Sequence, residues 1–379
     1  MNARRLIALL GMLAVSGLFF FGMHALGLLR VDEAVLAFRE RGGWVLAGAG
    51  AQIVTLALGV WRLHILLALF GTKVPPRRIA GATVLSQAIG QYLPGSMAAT
   101  ELIRVGLLLG IGKGTGAHAE SGQPQTPDPD LSSRLVLASV LDRILGLGAM
   151  LVFGGVTALV LVAWPGASVH APTVVIGYAV VSLAGGGVLL ALPIAGKLWR
   201  HRATDAPWGG GRPGRIAGVL ARLHSLFRVW IEHGGDTRVA GKLGKLTLAA
   251  VIGAATLATS CLTVWLPARG GTAPVPFWPL VAVIALVSMA TLLPLGLAGF
   301  GSQQAFSAIG LAAFGVSSSA VVTASLIQTV VALLVQTALG AISAAAFSGE
   351  LRVLYRRAFQ GTAGAGGGGR GSTGAGGGS

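Results

Sequence analysis

Long apolar runs, separated by short polar stretches, follow one another along most of the chain. Seven of them approach or exceed the length of about 20 residues that a helix needs to cross a bilayer. They cover residues 6–29, 44–71, 135–164, 173–196, 246–266, 277–293 and 317–347. Two more runs are broken, 79–111 by Pro94 and Gly95 and 294–314 by a glycine cluster. The pattern predicts an all-α, polytopic membrane helix bundle of about 7–8 transmembrane helices, with one or two re-entrant or broken helices.

Composition and charge agree with a lipid environment. Of the 379 residues, 54% are hydrophobic and only 11% are charged, whereas soluble domains carry about 25% charged residues. The net charge is +16, but the basic residues collect in short loops between the apolar runs, as the positive-inside bias requires. They are not interleaved with a base-stacking platform, so nucleic acid is not an expected partner.

The basic loops set the expected topology. Arg4 and Arg5 place the N-terminus in the cytoplasm, and the first apolar run is too long for a signal peptide, so it is expected to be an uncleaved anchor. The basic stretch 73–78 and the basic segment 197–245 should both be cytoplasmic. Two crossings already separate them, so the run 79–111 has to enter and leave on one side. We therefore expect a re-entrant hairpin there, with Pro94 and Gly95 as its hinge.

The second broken run leaves the count of crossings open. Arg269 is expected outside, and the basic residues within 352–357 are expected inside. The run 294–314, hinged at Pro294, would then have to cross the membrane, since a second hairpin at that place would leave the C-terminus outside.

The remaining polar segments extend the membrane domain rather than adding another domain. We assign residues 1–358 to one membrane domain and residues 359–379 to a disordered, glycine-rich tail. Within 197–245, apolar residues recur at helical spacing between 216 and 230, which is typical of an amphipathic helix on an anionic leaflet. A small soluble cap on the bundle is the alternative.

Four ionisable residues inside apolar runs form the main candidate substrate-binding site. Each costs about 2.5–3.5 kcal/mol at a helix centre, so such residues normally face the bundle interior and pair with one another. Glu101 and Arg104 share one helix face, whereas the neighbours Asp142 and Arg143 point about 100° apart. Pairing Glu101 with Arg143 and Asp142 with Arg104 would satisfy all four charges. We expect a functional polar cavity; structural ion pairs are the alternative, and Arg62, near its helix end, is expected to snorkel to the interface.

The second broken run offers polar groups without charge. Gly299 and Gly301 precede Gln303 and Gln304, and glycines at a helix start leave backbone N–H groups available to an anion such as phosphate. Gly299, Gly301 and Gln303 are therefore further substrate-binding candidates. Close helix packing through small residues is the alternative.

No residue set for catalysis or metal binding is recognisable. The chain has no Gly-x-Ser-x-Gly, no His-Glu-x-x-His and no P-loop, and its single cysteine, Cys261, lies in an apolar run. We expect no enzyme activity, no metal and no cofactor.

The order of these features resembles a known family. The motifs that carry the resemblance are Trp61-Arg62, Leu93-Pro94-Gly95, Glu101-x-x-Arg104, Val140-Leu141-Asp142-Arg143, Pro294, Gly299-Phe300-Gly301 and Gly315-Val316. Together they resemble the lysylphosphatidylglycerol synthase membrane-region family of flippase-like proteins. The resemblance implies a bacterial inner-membrane protein, with relatives that move an aminoacylated phospholipid between leaflets and carry a fused aminoacyl-transferase domain. Because this chain ends in a glycine-rich tail instead, it is not expected to synthesise lysylphosphatidylglycerol.

Two departures from the family pattern narrow what the resemblance implies. The family commonly has an acidic residue closer behind the Pro-Gly than Glu101 is, and it commonly has Arg-Glu where this chain has Gln303 and Gln304. The uncharged second half argues against a cationic or zwitterionic lipid as the substrate.

Two function hypotheses from different classes follow. The first is a lipid translocator for a phospholipid or a lipid-linked intermediate, in which two polar broken helices meet near the bilayer midplane and Arg104 and Arg143 contact phosphate. Its partners would be membrane lipids with an anionic or lipid-linked head group. The second is a non-transporting membrane protein that docks an envelope-biosynthesis enzyme through the basic segment 197–245.

Overall fold

The computed structural model describes residues 21–22, 25, 35–36, 39–72, 74–92, 96–112, 129–167, 169–203, 239–269, 275–290, 302–346 and 348. Within this part of the chain all regular structure is helical, as predicted. The helices, numbered here in chain order, are α1 (Gly42–Leu69), α2 (Pro76–Gly90), α3 (Ser96–Gly112), α4 (Pro129–Ala163), α5 (Pro172–Ala203), α6 (Val239–Ala268), α7 (Phe277–Ala290), α8 (Ser302–Ala312) and α9 (Ser318–Ala346).

The helices fall into two length classes. Five of them, α1, α4, α5, α6 and α9, are long and apolar enough to cross a membrane. The others have 15, 17, 14 and 11 residues, and at about 1.5 Å per residue none spans a hydrocarbon core of about 30 Å. In the run 277–293, expected to cross, the structure describes helix α7 as far as Ala290, and residues 291–293 lie outside the described residues. The total of about 7–8 crossings stays a prediction, because most of the run 6–29 lies outside the described residues.

The structure describes only the two ends of the basic segment 197–245. The α5 helix continues to Ala203 and α6 begins at Val239, so both ends of that segment are helical. Its predicted amphipathic helix and the tail 359–379 lie outside the described residues.

The four short helices form two pairs. Gly90 at the end of α2 lies so close to Thr100 of α3 that a Cβ atom on Gly90 would overlap the threonine side chain. Gly310 of α8 approaches Val283 of α7 in the same way. The run 79–111 therefore contains two short helices packed side by side, α2 and α3, whereas the run 294–314 contains α8, which packs against α7 of the run before it. The re-entrant course of α2–α3 stays a prediction. Its hinge residues Pro94 and Gly95, and Pro294 of the other run, lie outside the described residues.

The order of long and short helices occurs twice. In both α1–α4 and α6–α9, a long helix is followed by two short helices and a second long one. The second long helices also align in sequence. Residues 132–145 of α4 match residues 318–331 of α9, with serines at the first, second and eighth positions and alanine at the seventh. The packing repeats as well, because α2 lies against α9 as α7 lies against α4. Eight of the nine described helices therefore form two copies of one four-helix unit, and α5 lies between the copies in the chain.

The two units meet where α1 packs against α6. Aligning Val60-Trp61 with Val264-Trp265 puts Thr55 level with Thr259 in sequence. In the structure the hydroxyl of Thr55 donates a hydrogen bond to the hydroxyl of Thr259, at 3.0 Å. A contact between two equivalent residues marks the axis of a pseudo-two-fold symmetry.

The two units run in opposite directions. Trp44, at the start of α1, stacks on the guanidinium of Arg269, just after the end of α6, with 5.1 Å from the Arg269 Cζ to the ring centroid. Gly48 of α1 packs against Pro267 near the same end of α6. The helices α1 and α6 are thus antiparallel, which makes the bundle an inverted repeat of the kind common among transporters.

The apolar core follows the same symmetry. Near the start of α1, Val45 packs with Ile327 and Val331 of α9. Near the start of α6, Ala249, which aligns with Val45, packs in one cluster with Leu141 and Leu145 of α4, which align with the two α9 residues. Two small-residue contacts also correspond, Gly154 against Ala285 and Gly340 against Ala88. One packing scheme is therefore used twice.

Candidate functional site

The charged residues of the first unit gather where α1, α3 and α4 meet. The α3 helix presents Glu101 and Arg104 on one face, since three residues are close to one helical turn. The α4 helix supplies Asp142 and Arg143, and α1 supplies Arg62. These five residues are called the charged cluster below.

The predicted pairs form within this cluster. Arg143 donates to Glu101, and Arg104 donates both to Glu101 and, at 3.5 Å, from Nη1 to Asp142 Oδ2. A further contact was not predicted. Arg62 Nε donates to Asp142 Oδ1 at 2.6 Å. All five residues thus belong to one network that ties three helices together.

The expectation that Arg62 snorkels to the interface is wrong. Its side chain is buried, and its guanidinium lies against α4, where Gly146 leaves room for it. A Cβ atom at residue 146 would overlap the guanidinium group. Asp142 provides the counter-charge that makes burial of Arg62 more favourable than extension to the interface.

The charged cluster has a closed end and an open end. Asp142 and Arg104 are 1% and 2% exposed, whereas the side chains of Glu101 and Arg143 are 20% and 31% exposed. The cluster holds three guanidinium groups and two carboxylates, so it carries one excess positive charge. Arg104 Nε is buried and has no hydrogen-bond partner among the described residues. An anion at the open end would supply a counter-charge to the cluster and acceptor oxygens to the guanidinium of Arg143.

The second unit holds an uncharged counterpart in the same place. Gln304 of α8 is fully buried, and its Nε2 donates to the hydroxyl of Thr329 of α9 at 3.1 Å. That hydroxyl in turn donates to the carbonyl of Ser325, at 2.8 Å. In the alignment of α4 with α9, Asp142 corresponds to Gln328 and Arg143 to Thr329. The contact between Gln304 and Thr329 therefore replaces the ion pair between Glu101 and Arg143.

We call Gln304, Ser325, Gln328 and Thr329 the neutral cluster. The side-chain oxygen of Gln328 is buried and accepts no hydrogen bond from the residues the structure describes. Ser307, which follows Gln304 by one turn as Arg104 follows Glu101, is buried too. Every member of the cluster is an amide or a hydroxyl, so it offers hydrogen bonds and no net charge.

The two clusters lie on opposite sides of the contact between Thr55 and Thr259. Arg62 is about two turns beyond Thr55 along α1, or about 10 Å. Ile327 and Val331, which flank Thr329, pack against Val45, about 15 Å before Thr55 on the same helix. The two polar regions therefore do not meet near the centre, contrary to the expectation from the sequence. If the axis lies in the membrane plane, as in other inverted repeats, each cluster occupies its own half of the bilayer.

Of the other predicted substrate-binding residues, Gln303 is described by the structure, whereas the two glycines are not. Gln303 lies on α8 beside Gln304 and is half-buried. Gly299 and Gly301 lie outside the described residues, so the proposed backbone anion site is untested. Sequence reasoning missed the roles of Arg62, Ser325 and Thr329. The position of Arg62 inside the apolar run 44–71 was a signal that could have identified its role. For Thr329, the signal was its alignment with Arg143 in the internal repeat.

Comparison with known proteins identifies a family. The family model described as Lysylphosphatidylglycerol synthase TM region matches residues 7–340. No curated protein matches the chain. The family match and the five long apolar helices make this a multi-pass membrane protein with a lipid-related function.

Proposed function

Because the chain belongs to the Lysylphosphatidylglycerol synthase TM region family, we propose that it is a lipid translocator that moves an anionic phospholipid or lipid-linked intermediate between leaflets. The proposed membrane is the bacterial inner membrane, with the N-terminus in the cytoplasm. Membership of the family supports a function related to lipids. The excess positive charge of the charged cluster supports a preference for an anionic head group.

The observation that carries the proposal is the excess positive charge of the charged cluster. Ion pairs that only hold helices together would be expected to balance, because an unpaired charge in the bilayer is costly. Here Arg143 lies at the open end, where a phosphate group could reach it. The phosphate would neutralise the cluster and accept a hydrogen bond from the guanidinium.

The neutral cluster is an internal control for this reasoning. The same helix packing exists in the second unit without a charged residue at Gln304, Gln328 or Thr329. Since the packing is formed there by an amide and a hydroxyl, ion pairs are not required to hold α3 against α4. Retention of five charged residues in the first unit is better explained by a ligand.

The inverted repeat supports transport between leaflets. Two units of opposite direction allow one conformation to open on one side and its symmetry mate to open on the other. In the proposed topology α2–α3 is a re-entrant hairpin from the cytoplasmic side and α7–α8 is its counterpart from the outside. Five crossings among the described helices then leave the basic segment within 204–238 and the C-terminal basic residues both inside, as the positive-inside bias requires.

The transport proposal is tested in liposomes that hold the purified protein and fluorescent phospholipids. Dithionite should quench more of an anionic phosphatidylglycerol probe than in empty liposomes, and Arg143→Gln should reduce the rate by about tenfold through loss of one charge-assisted contact. The matched control is Arg269→Gln, which removes an arginine that stacks on Trp44 and Trp265 away from the cluster. Equal quenching in protein-containing and empty liposomes would instead favour the role as a docking partner of an envelope-biosynthesis enzyme.

The topology is tested by labelling introduced cysteines in a Cys261→Ala background. Pro75→Cys and Ala203→Cys should react from the cytoplasmic side, and Gly166→Cys from the opposite side. Labelling of residues 75 and 203 from opposite sides would rule out the hairpin α2–α3.

A further inference from the structure

We infer that the neutral cluster is a second head-group subsite, which takes the uncharged, hydroxyl-bearing part of the head group. This inference rests on the proposed function, because it gives the translocated lipid a second binding position beyond the charged cluster. The chemical class of the ligand is a polyol, carried either by a glycerol head group or by a sugar.

The unsatisfied oxygen of Gln328 is the first observation. In a bilayer, a buried amide oxygen without a donor is unfavourable, and a structure normally supplies one. Among the described residues nothing donates to Gln328 Oε1. The neighbouring hydroxyl of Thr329 is already used, since it donates to the carbonyl of Ser325 and accepts from Gln304. A hydroxyl group of a ligand would provide the missing donor.

The position of Gln328 is the second observation. It aligns with Asp142, which accepts from Arg62 and Arg104 in the charged cluster. In the second unit the residues that align with those arginines, Leu266 and Ser307, carry no charge. Leu266 has no side-chain donor, and the hydroxyl of Ser307 does not donate to Gln328 Oε1, which has no partner among the described residues. The second unit therefore has an open acceptor at this position.

The chemistry of the neutral cluster sets its selectivity. Without a guanidinium it offers no counter-charge to a phosphate, and without a carboxylate it offers none to an ammonium group. Amides and hydroxyls suit hydroxyl groups, which both donate and accept hydrogen bonds. A head group with several hydroxyls would therefore bind first the charged cluster through its phosphate and later, after it has moved, the neutral cluster through its hydroxyls.

The geometry gives the two subsites successive roles. Since they lie on opposite sides of the contact between Thr55 and Thr259, one head group cannot occupy both at once. A lipid bound by its phosphate at one level would meet the hydroxyl-binding subsite only after it has moved past the axis. The second subsite thus favours polyol head groups over other anions during passage.

The experiment measures lipid binding to the full chain in nanodiscs or detergent by native mass spectrometry. The probes are phosphatidylglycerol and phosphatidylpropanol, which have the same charge but differ by two head-group hydroxyls, and phosphatidylinositol as the sugar-like probe. The wild-type protein should bind phosphatidylglycerol about fivefold more tightly than phosphatidylpropanol, the size of one net hydrogen bond. A preference for phosphatidylinositol over phosphatidylglycerol would identify a sugar as the natural polyol, and the reverse order a glycerol.

Two variants separate the subsites. Gln328→Leu should remove the preference for phosphatidylglycerol and leave phosphatidylpropanol binding unchanged, whereas Arg143→Gln should weaken phosphatidylpropanol more than phosphatidylglycerol, which can still bind at the neutral cluster. Equal affinity of the wild type for both lipids, or equal weakening of both by Gln328→Leu, would overturn the inference while the proposed transport function stands. Absence of binding for every anionic lipid would instead overturn the proposed function.

A stability measurement provides an independent check. Removal of an unsatisfied buried acceptor should leave the melting temperature of lipid-free Gln328→Leu equal to or above that of the wild type. A clear decrease would mean that Gln328 has a donor within the protein, and the inference would then be wrong.

Discussion

The charged and neutral clusters occupy equivalent places in two copies of one helical unit. They differ in how their buried polar groups are paired: by ion pairs in the first unit and by hydrogen bonds between uncharged groups in the second. The first unit holds five ionised side chains, two of them partly exposed, in a network with one excess positive charge. The second uses one amide, one hydroxyl and a backbone carbonyl. Because both arrangements hold the same helices together, the charges are not a requirement of the packing. In the proposed function, they give the first unit its preference for an anionic head group.

The largest difference between the units should appear when the central acceptor is changed. Asp142→Asn would leave Arg62 and Arg104 buried without their shared carboxylate, and we expect a loss of about 3–5 kcal/mol in the free energy of unfolding. Thermal and denaturant unfolding of the purified protein would measure it. The control is Gln328→Asn at the aligned position, where we expect a change within about 0.5 kcal/mol. Equal losses in the two variants would remove the distinction between the clusters.

The next effect should be the same in both units. Gly154→Ala and Gly340→Ala would each push a methyl group into an alanine of a facing short helix, Ala285 or Ala88. We expect each to lower the free energy of unfolding by about 1–3 kcal/mol. Gly187→Ala on α5, where a Cβ atom would meet nothing within 4 Å, should be neutral. Strong loss in one unit and none in the other would show that the packing is not truly repeated.

Removal of one carboxylate from the charged cluster should raise its affinity for an anionic lipid and lower the free energy of unfolding of the protein. Glu101→Gln removes one carboxylate from the open end, so the excess charge rises and an anionic lipid should bind several-fold more tightly. The free energy of unfolding should fall by about 1 kcal/mol, since Glu101 and Arg143 are partly exposed. Lipid titration and thermal unfolding of the same preparation would measure both. Weaker binding of phosphatidylglycerol to this variant would contradict the assignment of an anion site.

The smallest expected effect lies at the axis between the units. Thr55→Val and Thr259→Val each remove the same hydroxyl–hydroxyl contact, and we expect about 0.6 kcal/mol for either. The double variant should cost less than the sum of the two, because both singles break one bond. The comparison is Thr256→Val, whose hydroxyl bonds to the carbonyl of Ile252 on its own helix. Full additivity between residues 55 and 259 would mean that they are not coupled.

Sequence reasoning located the charged cluster but not its full membership. The pairing of Glu101 with Arg143 and of Asp142 with Arg104 followed from helical spacing and the cost of charge in lipid, and both pairs occur. Arg62 was assigned to the interface because it lies near the end of its helix. That assignment depended on position along one helix, whereas the outcome depended on Asp142 and Gly146 of another.

The second broken run was the harder case. The energetic cost of placing its uncharged polar residues in lipid is too small to predict specific partners. The pairing of Gln304 with Thr329 therefore could not be predicted from spacing alone. The run 277–293 was counted as a crossing because it is apolar. The described part of its helix runs to Ala290, and apolarity by itself does not distinguish a crossing helix from half of a packed pair, so the crossing stays a prediction.

The sequence by itself determined that the protein is embedded in lipid, that its fold is all-α, and which charged residues lie within apolar runs. Those follow from composition and from the period and length of apolar runs, which are properties of single segments. Only the tertiary structure decided that the chain is an inverted repeat, that Thr55 meets Thr259, and that a charged and a neutral cluster lie on opposite sides of that contact. Such relations join residues far apart in the chain, and weak similarity between α4 and α9 becomes meaningful only when their packing is seen to correspond.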